Sequence, residues 1–232
     1  FTDVRILAVV GEDFPDAHRR KLEHPHIDTA GIKTIEGGKT SVWGARYSYD
    51  MNSRETWYPE LGVSIAHLPP VLPEWRDSTV ACLAAGHPAY QRDLIASLDS
   101  PKVTLVDTIK MFIDENPAEL RETMRLADFV TLNESEAREL AKLPSIARAG
   151  RSLVGDGVKT VIIKLGEFGA ALISDGEYFV APGFPLEEVV DPTGAGDSFA
   201  GAFVGYLDSV NQVTPGEIRR AMIYGSTVAS FQ

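Results

Sequence analysis

The sequence predicts an α/β protein built on a mostly parallel central sheet flanked by helices, with a small antiparallel β-sheet inserted as a lid. Two patterns predict it. Short β-branched runs alternate with helix-patterned stretches along most of the 232 residues, as chains made of βαβ units do. Between residues 32 and 66 that rhythm stops, and alternating polar and apolar residues with turns and no helical spacing replace it. A hydrophobic share of 44% over this length suffices to bury a sizeable core. The expected organisation is a core of residues 1–31 and 67–232 and a β lid of residues 32–66.

In chain order, "VRILAVV" opens the core as a strand, and Pro25 marks a loop after the first helix. The lid follows, with "GGKT" at Gly37 to Thr40 as a turn between its strands. "STVACLAA", "KVTLVDT", "DFVTL" and "KTVIIKL" then supply core strands, and "NESEARELAKL" and "SIARAGRSLVGDG" are amphipathic helices between them. "DPTGAGDSFAGAF" turns into an apolar helix, and "IRRAMIYGSTVASF" forms the last one. The chain opens on Phe1 in a run already heading into a strand and closes in mid-helical pattern. The expectation is that both natural ends, including a first core strand, lie outside it.

Charge and composition narrow the function. With 22 basic against 33 acidic residues the net charge is −11, which repels nucleic acid and anionic membrane in the absence of a basic patch. No apolar stretch reaches the roughly 18 residues of a membrane span, and no leader pattern is present. The expected setting is the cytoplasm, which also suits a chain whose one cysteine, Cys82, has no internal disulfide partner. Cys82 sits in an apolar run and reads as buried packing. "HPH" at His24 to His26 has no carboxylate or cysteine cluster to complete a metal site.

Two glycine motifs imitate nucleotide loops and fail. A Walker A loop needs glycine five residues before its Gly-Lys pair, and that position is Lys33. "GAGDSF" begins like a dinucleotide fingerprint but ends on Phe199, near the end of the chain rather than in a first βαβ unit. What remains in "DPTGAGDSFAG" is a helix start. Its free amides and the positive end of the helix dipole attract an anion such as phosphate, and its glycines let the backbone come close. Asp197, in the first turn, is either a dipole-stabilised helix acid or a general base that takes a proton from an attacking hydroxyl.

This loop resembles the signature of the ribokinase-like, or PfkB, carbohydrate kinases, Asp-Thr-x-Gly-Ala-Gly-Asp, with Pro192 in place of the usual threonine. "NESE", Asn133 to Glu136, is similar to the family's Asn-x-x-Glu motif, and it also reads as a helix cap. "IIKLGEFGAALIS" resembles the family's Thr-Leu-Gly-x-x-Gly strand and turn, with Gly166 and Gly169 matching and Lys164 in place of the threonine. Lys164 would reach phosphate or simply be exposed. Asp107, at a strand end, matches the first residue of the family's Asp-x-Asn pattern, while Lys110 and Met111 depart from it.

The resemblance implies a three-layer ribokinase-like fold and an ATP-dependent kinase acting on a hydroxyl of a sugar or sugar-like molecule. Asp197 would be the base, and Gly194, Ala195 and Gly196 the anion hole. Asn133, Glu136, Lys164, Gly166, Gly169, Asp191 and Thr193 would serve the nucleotide. Magnesium would bridge the phosphates, held by Glu136 through water. A nucleoside kinase of the same fold is the nearest alternative, and a non-catalytic nucleotide- or sugar-binding regulator a more distant one. In the lid, Trp43, Arg46, Tyr47, Tyr49, Asn52 and Arg54 would recognise the acceptor, pack on the core, or pair with a second copy as a homodimer.

Overall fold

The computed structural model describes residues 1–51, 53–67 and 69–231, so Asn52 of the lid set lies outside the described residues. The chain divides into two units, one of Thr2–Asp77 with Ser97–Asp99, the other of Phe1, Ser78–Ala96 and the chain from Ser100 onward.

In the first unit β1 (Val4–Gly11) leads through helix α1 (Asp16–Lys21) to β2 (Ile27–Ile35), and the two strands pair in parallel. A parallel pair needs a crossover, and α1 supplies it. β2 spans the expected 31/32 lid boundary, and alternation along a strand does not encode the direction of its partner. Gly37, at φ +67°, makes the turn that follows, closed by the Gly38 amide donating to the Ile35 carbonyl at 3.1 Å. β3 (Val42–Tyr47) and β4 (Arg54–Glu60) then form a separate antiparallel pair, with Arg46 opposite Glu55. Asp13 ties the loop after β1 to the segment before β3. Its Oδ1 accepts the Thr40 amide at 2.7 Å, and hydrogen bonds from Thr40, the backbone one first, hold its carboxyl below the ordinary range.

The second unit holds a six-stranded sheet. β5 (Val80–Leu83), α2 (Pro88–Ser97), β6 (Val103–Asp107), α3 (Lys110–Glu115), α4 (Pro117–Leu126), β7 (Phe129–Asn133), α5 (Glu134–Ala141), α6 (Ile146–Gly155) and β8 (Thr160–Lys164) alternate, and β5 to β8 run parallel. β9 (Ala170–Ser174) and β10 (Glu177–Ala181) return antiparallel, and α7 (Ala195–Ser209) and α8 (Pro215–Ala229) complete the unit.

Period-two alternation divides the core. Val106, Val130, Leu132, Val161, Ile163 and Ile173 pack with Leu120, Met124, Leu140 and Leu153 of α4, α5 and α6. Val103, Leu105, Phe129, Ile162 and Leu172 pack with Phe199, Phe203, Leu207 and Met222 of α7 and α8. The result is three layers with the sheet in the middle. Strands buried on both faces read as continuous apolar runs, which is why they were conspicuous in the sequence.

Candidate active site

The alternation that builds the core also aims the site. Asp107 is two residues beyond Leu105, and Lys164 two beyond Ile162, so both end their strands on the face that meets α7. They meet there: Lys164 Nζ lies 3.0 Å from Asp107 Oδ2, with side chains 18% and 9% exposed. Lys164 is thus neither a free surface lysine nor placed by sequence neighbours. Asp107 is fixed at three points. Its Oδ1 accepts the Thr108 amide at 2.9 Å, its Oδ2 accepts Lys164, and its carbonyl accepts Gln91 Nε2 at 2.8 Å.

Across from this pair α7 begins. Gly194 caps it in the left-handed conformation, at φ 86° and ψ −7°. The Ala195 amide donates to the Pro192 carbonyl at 3.2 Å and the Ser198 amide to the Gly194 carbonyl at 2.8 Å, whereas the Gly196 amide has no protein acceptor among the described residues. A Cβ on Gly196 would come within 3.1 Å of Lys164 Nζ, so the ammonium rests against the first turn of the helix. Asp197, the next residue, is exposed. Before the turn, Asp191 Oδ1 accepts the Thr193 amide at 2.9 Å. Side-chain and backbone hydrogen bonds from Thr193, the side-chain one first, hold the Asp191 carboxyl below its ordinary range.

Asn133 and Lys164 are register partners on neighbouring strands, so the Asn-x-x-Glu motif enters the same sheet edge. It forms a reciprocal cap. Asn133 Oδ1 accepts the Glu136 amide, and Glu136 Oε2 accepts the Asn133 amide, each at 2.8 Å. Glu136 is 5% exposed. Gly166 and Gly169 take positive φ in the turn between β8 and β9. A Cβ on Gly169 would overlap the carbonyl oxygen of Ala181, so the backbone alone requires glycine there.

Cys82 corrects the sequence-based expectation. It is exposed rather than buried, although it lies on the sheet face that carries Leu105. Surrounding protein nevertheless desolvates it. Its thiol pKa is pushed up to about 12, first by desolvation and then by the charges of Asp107 and Asp197, with Lys164 pulling the other way. Cys82, Asp107, Lys164 and Asp197 therefore share one electrostatic neighbourhood. Neither the thiol nor the Asp107–Lys164 pair was legible as part of the site, since the pair is 57 residues apart in sequence.

The sheet edge thus offers an anion a free helix amide, a positive helix end and an ammonium, with a carboxylate beside them. Among the described residues no group of three or more His, Cys, Asp or Glu could hold a metal ion. Magnesium retains waters and takes phosphate oxygens rather than requiring an all-protein cage, and the Glu136 carboxylate at this edge is an oxygen donor of the kind it takes. No described helix is long and apolar enough to cross a membrane.

Residues 90–232 match the pfkB family carbohydrate kinases. A cytidine kinase of Thermococcus kodakarensis is 31% identical over 208 residues, spanning 87% of this chain and 72% of that protein. The nucleoside kinase of Methanocaldococcus jannaschii superposes with a TM-score of 0.76 at 20% identity, covering 99% of this chain and 73% of its own. An Escherichia coli structure described as a putative ribokinase II in complex with ATP and Mg2+ superposes with a TM-score of 0.73 at 24% identity, covering 97% and 74%. By family match, by relative and by fold, the chain belongs to the pfkB family of carbohydrate kinases, phosphotransferases with a hydroxyl acceptor.

Proposed function

We propose that this protein transfers the γ-phosphoryl group of ATP to a hydroxyl of a sugar or sugar-like small molecule, with Asp197 as the general base. The observation that carries this is the α7 start, where the exposed Asp197 carboxylate directly follows an unpartnered helix amide. Asp197 takes the proton of the attacking hydroxyl. The acceptor oxygen forms the new O–P bond as the β–γ bridging P–O bond breaks, and ADP leaves. The Gly194, Ala195 and Gly196 backbone stabilises charge on the group in transit, which is where most of the catalysis in such transfers arises. Asn133, Gly166, Gly169, Asp191 and Thr193 shape the nucleotide side of the edge. Magnesium would neutralise phosphate charge, and Glu136, already engaged with the Asn133 amide, would hold it through a bound water.

The test is ADP release from Mg-ATP across a panel of sugars and nucleosides, for the parent protein and Asp197→Asn. A base contributes roughly 10²- to 10⁴-fold, so kcat should fall by about that much while Mg-ATP affinity holds. Turnover within a few-fold of the parent would remove Asp197 from the role of base. A nucleoside acceptor is the second reading, favoured by the cytidine kinase that matches 87% of the chain. Turnover of nucleosides over free sugars selects it.

A further inference from the structure

We propose that Asp107 is a positioning residue that holds the Lys164 ammonium against the first turn of α7, where Lys164 neutralises charge on the terminal phosphoryl group of ATP. This rests on the nucleotide site proposed above and adds a side-chain cation to it.

The pair makes little sense as a structural device. Two charges drawn out of water lose hydration that their mutual attraction only partly returns, and a well-packed apolar pair commonly does as well or better. Here both sit at the end of strands whose preceding inward residues, Leu105 and Ile162, are fully buried and apolar. Nothing in the packing of the sheet calls for charge at that depth.

The way the two partners are satisfied is unequal, and that asymmetry gives the pair a direction. The Asp107 carboxylate is anchored through both oxygens, to a backbone amide and to Lys164, and its own carbonyl is pinned by Gln91. An ammonium has three N–H donors. Among the described residues, Lys164 donates to Asp107 alone, which leaves two without a protein acceptor. They are on a half-buried group lying against Gly196, whose amide is likewise without an acceptor. Two kinds of donor, one charged, therefore lie against each other at the start of one helix, and among the described residues neither the Gly196 amide nor the remaining Lys164 N–H groups have a protein acceptor. A compact ammonium suits this task, because its donors rotate to meet a tetrahedral anion whose oxygens move during transfer.

Binding and stability together test the proposal. Mg-ATP and Mg-ADP affinities are measured by calorimetry, and unfolding midpoints by thermal melts, for the parent, Lys164→Met, Lys164→Arg, Asp107→Asn and the double variant Asp107→Asn/Lys164→Met. Hydrogen bonds to a charged group are worth enough that Lys164→Met should weaken Mg-ATP about 10- to 100-fold and leave Mg-ADP nearly unchanged. Lys164→Arg should keep most of the ATP preference. Asp107→Asn should lose part of it, since the ammonium remains but is no longer held. The double variant should regain the parent's unfolding midpoint without regaining the preference.

Equal losses for ATP and ADP in Lys164→Met, or an ATP preference restored by the double variant, would overturn the proposal and make the pair structural. The acceptor panel separates this from the kinase reading. ATP-selective loss in a protein that phosphorylates no acceptor sinks the kinase and keeps the assignment of Lys164. Asp197-dependent turnover with a neutral Lys164→Met does the reverse.

Discussion

Gly169 and Gly196 stand a few residues from the same sheet edge and answer to different constraints. Gly169 has φ +95°, and a Cβ would run into the Ala181 carbonyl oxygen. Gly169→Ala should therefore cost about 1 to 3 kcal/mol of backbone strain, read as a fall of several degrees in the unfolding midpoint. Gly196 lies within an ordinary helix, and its added Cβ would meet only the mobile end of Lys164 at 3.1 Å. Gly196→Ala should leave the midpoint close to the parent and reduce turnover by displacing the ammonium. If Gly196→Ala proved as unstable as Gly169→Ala, the close approach to Lys164 would not be the reason for glycine at 196. Cys82 gives a residue-scale test of the electrostatics. With its thiol pushed up to about 12, alkylation between pH 7 and 8 should be much slower than for an unperturbed exposed cysteine, despite its exposure. The sign follows from linkage. A thiol whose folded pKa lies above its unfolded value of 9.0 favours the native state fully below that value, and the contribution declines as pH rises from there towards 12.

At the level of elements, the Asn133 cap separates a helix role from a ligand role. Asn133→Ala removes the acceptor for the Glu136 amide, a loss worth about 1 kcal/mol or roughly 2 to 4 °C in a chain of this size. Asn133→Ser keeps a capping oxygen and should keep the stability. If Mg-ATP affinity drops in both variants, Asn133 acts on the nucleotide as well as on α5; if affinity follows the midpoint, it acts only as a cap. Most elements were legible because their periodicity is local. The strand runs at 103–107, 129–133 and 160–164 carry their own apolar signature, and Asn133 with Glu136 is a cap visible in four residues. What escaped is what depends on distant pairing. Nothing along Ile27–Ile35 declares that β2 lies parallel to β1, and a lysine in the run "TVIIKL" does not announce an aspartate on the strand two places across the sheet.

For the whole molecule, the β3–β4 pair raises the question of assembly. It is a two-stranded sheet on which Val42, Trp43, Trp57 and Tyr58 are all exposed. A hairpin of that size is marginal alone in water, and its open edges are ready to pair. Sedimentation velocity over a range of concentrations should show a dimer that Trp57→Arg shifts to monomer, whereas a monomer at every concentration would rule out pairing through this sheet. The path of the chain bears on how such a protein can be dissected. Residues Ser97–Asp99 belong with Thr2–Asp77, although the chain between them, Ser78–Ala96, belongs to the other unit. The Asp99 amide donates to the Arg76 carbonyl at 2.8 Å and Arg76 Nε to the Ser97 carbonyl at 3.0 Å. A single cut after Asp77 therefore cannot release two intact pieces. Any gene fragment that begins at Ser78 carries away three residues its neighbour needs, so moving the Thr2–Asp77 unit into another protein calls for junctions on both sides of Ser97–Asp99 as well as the one after Asp77.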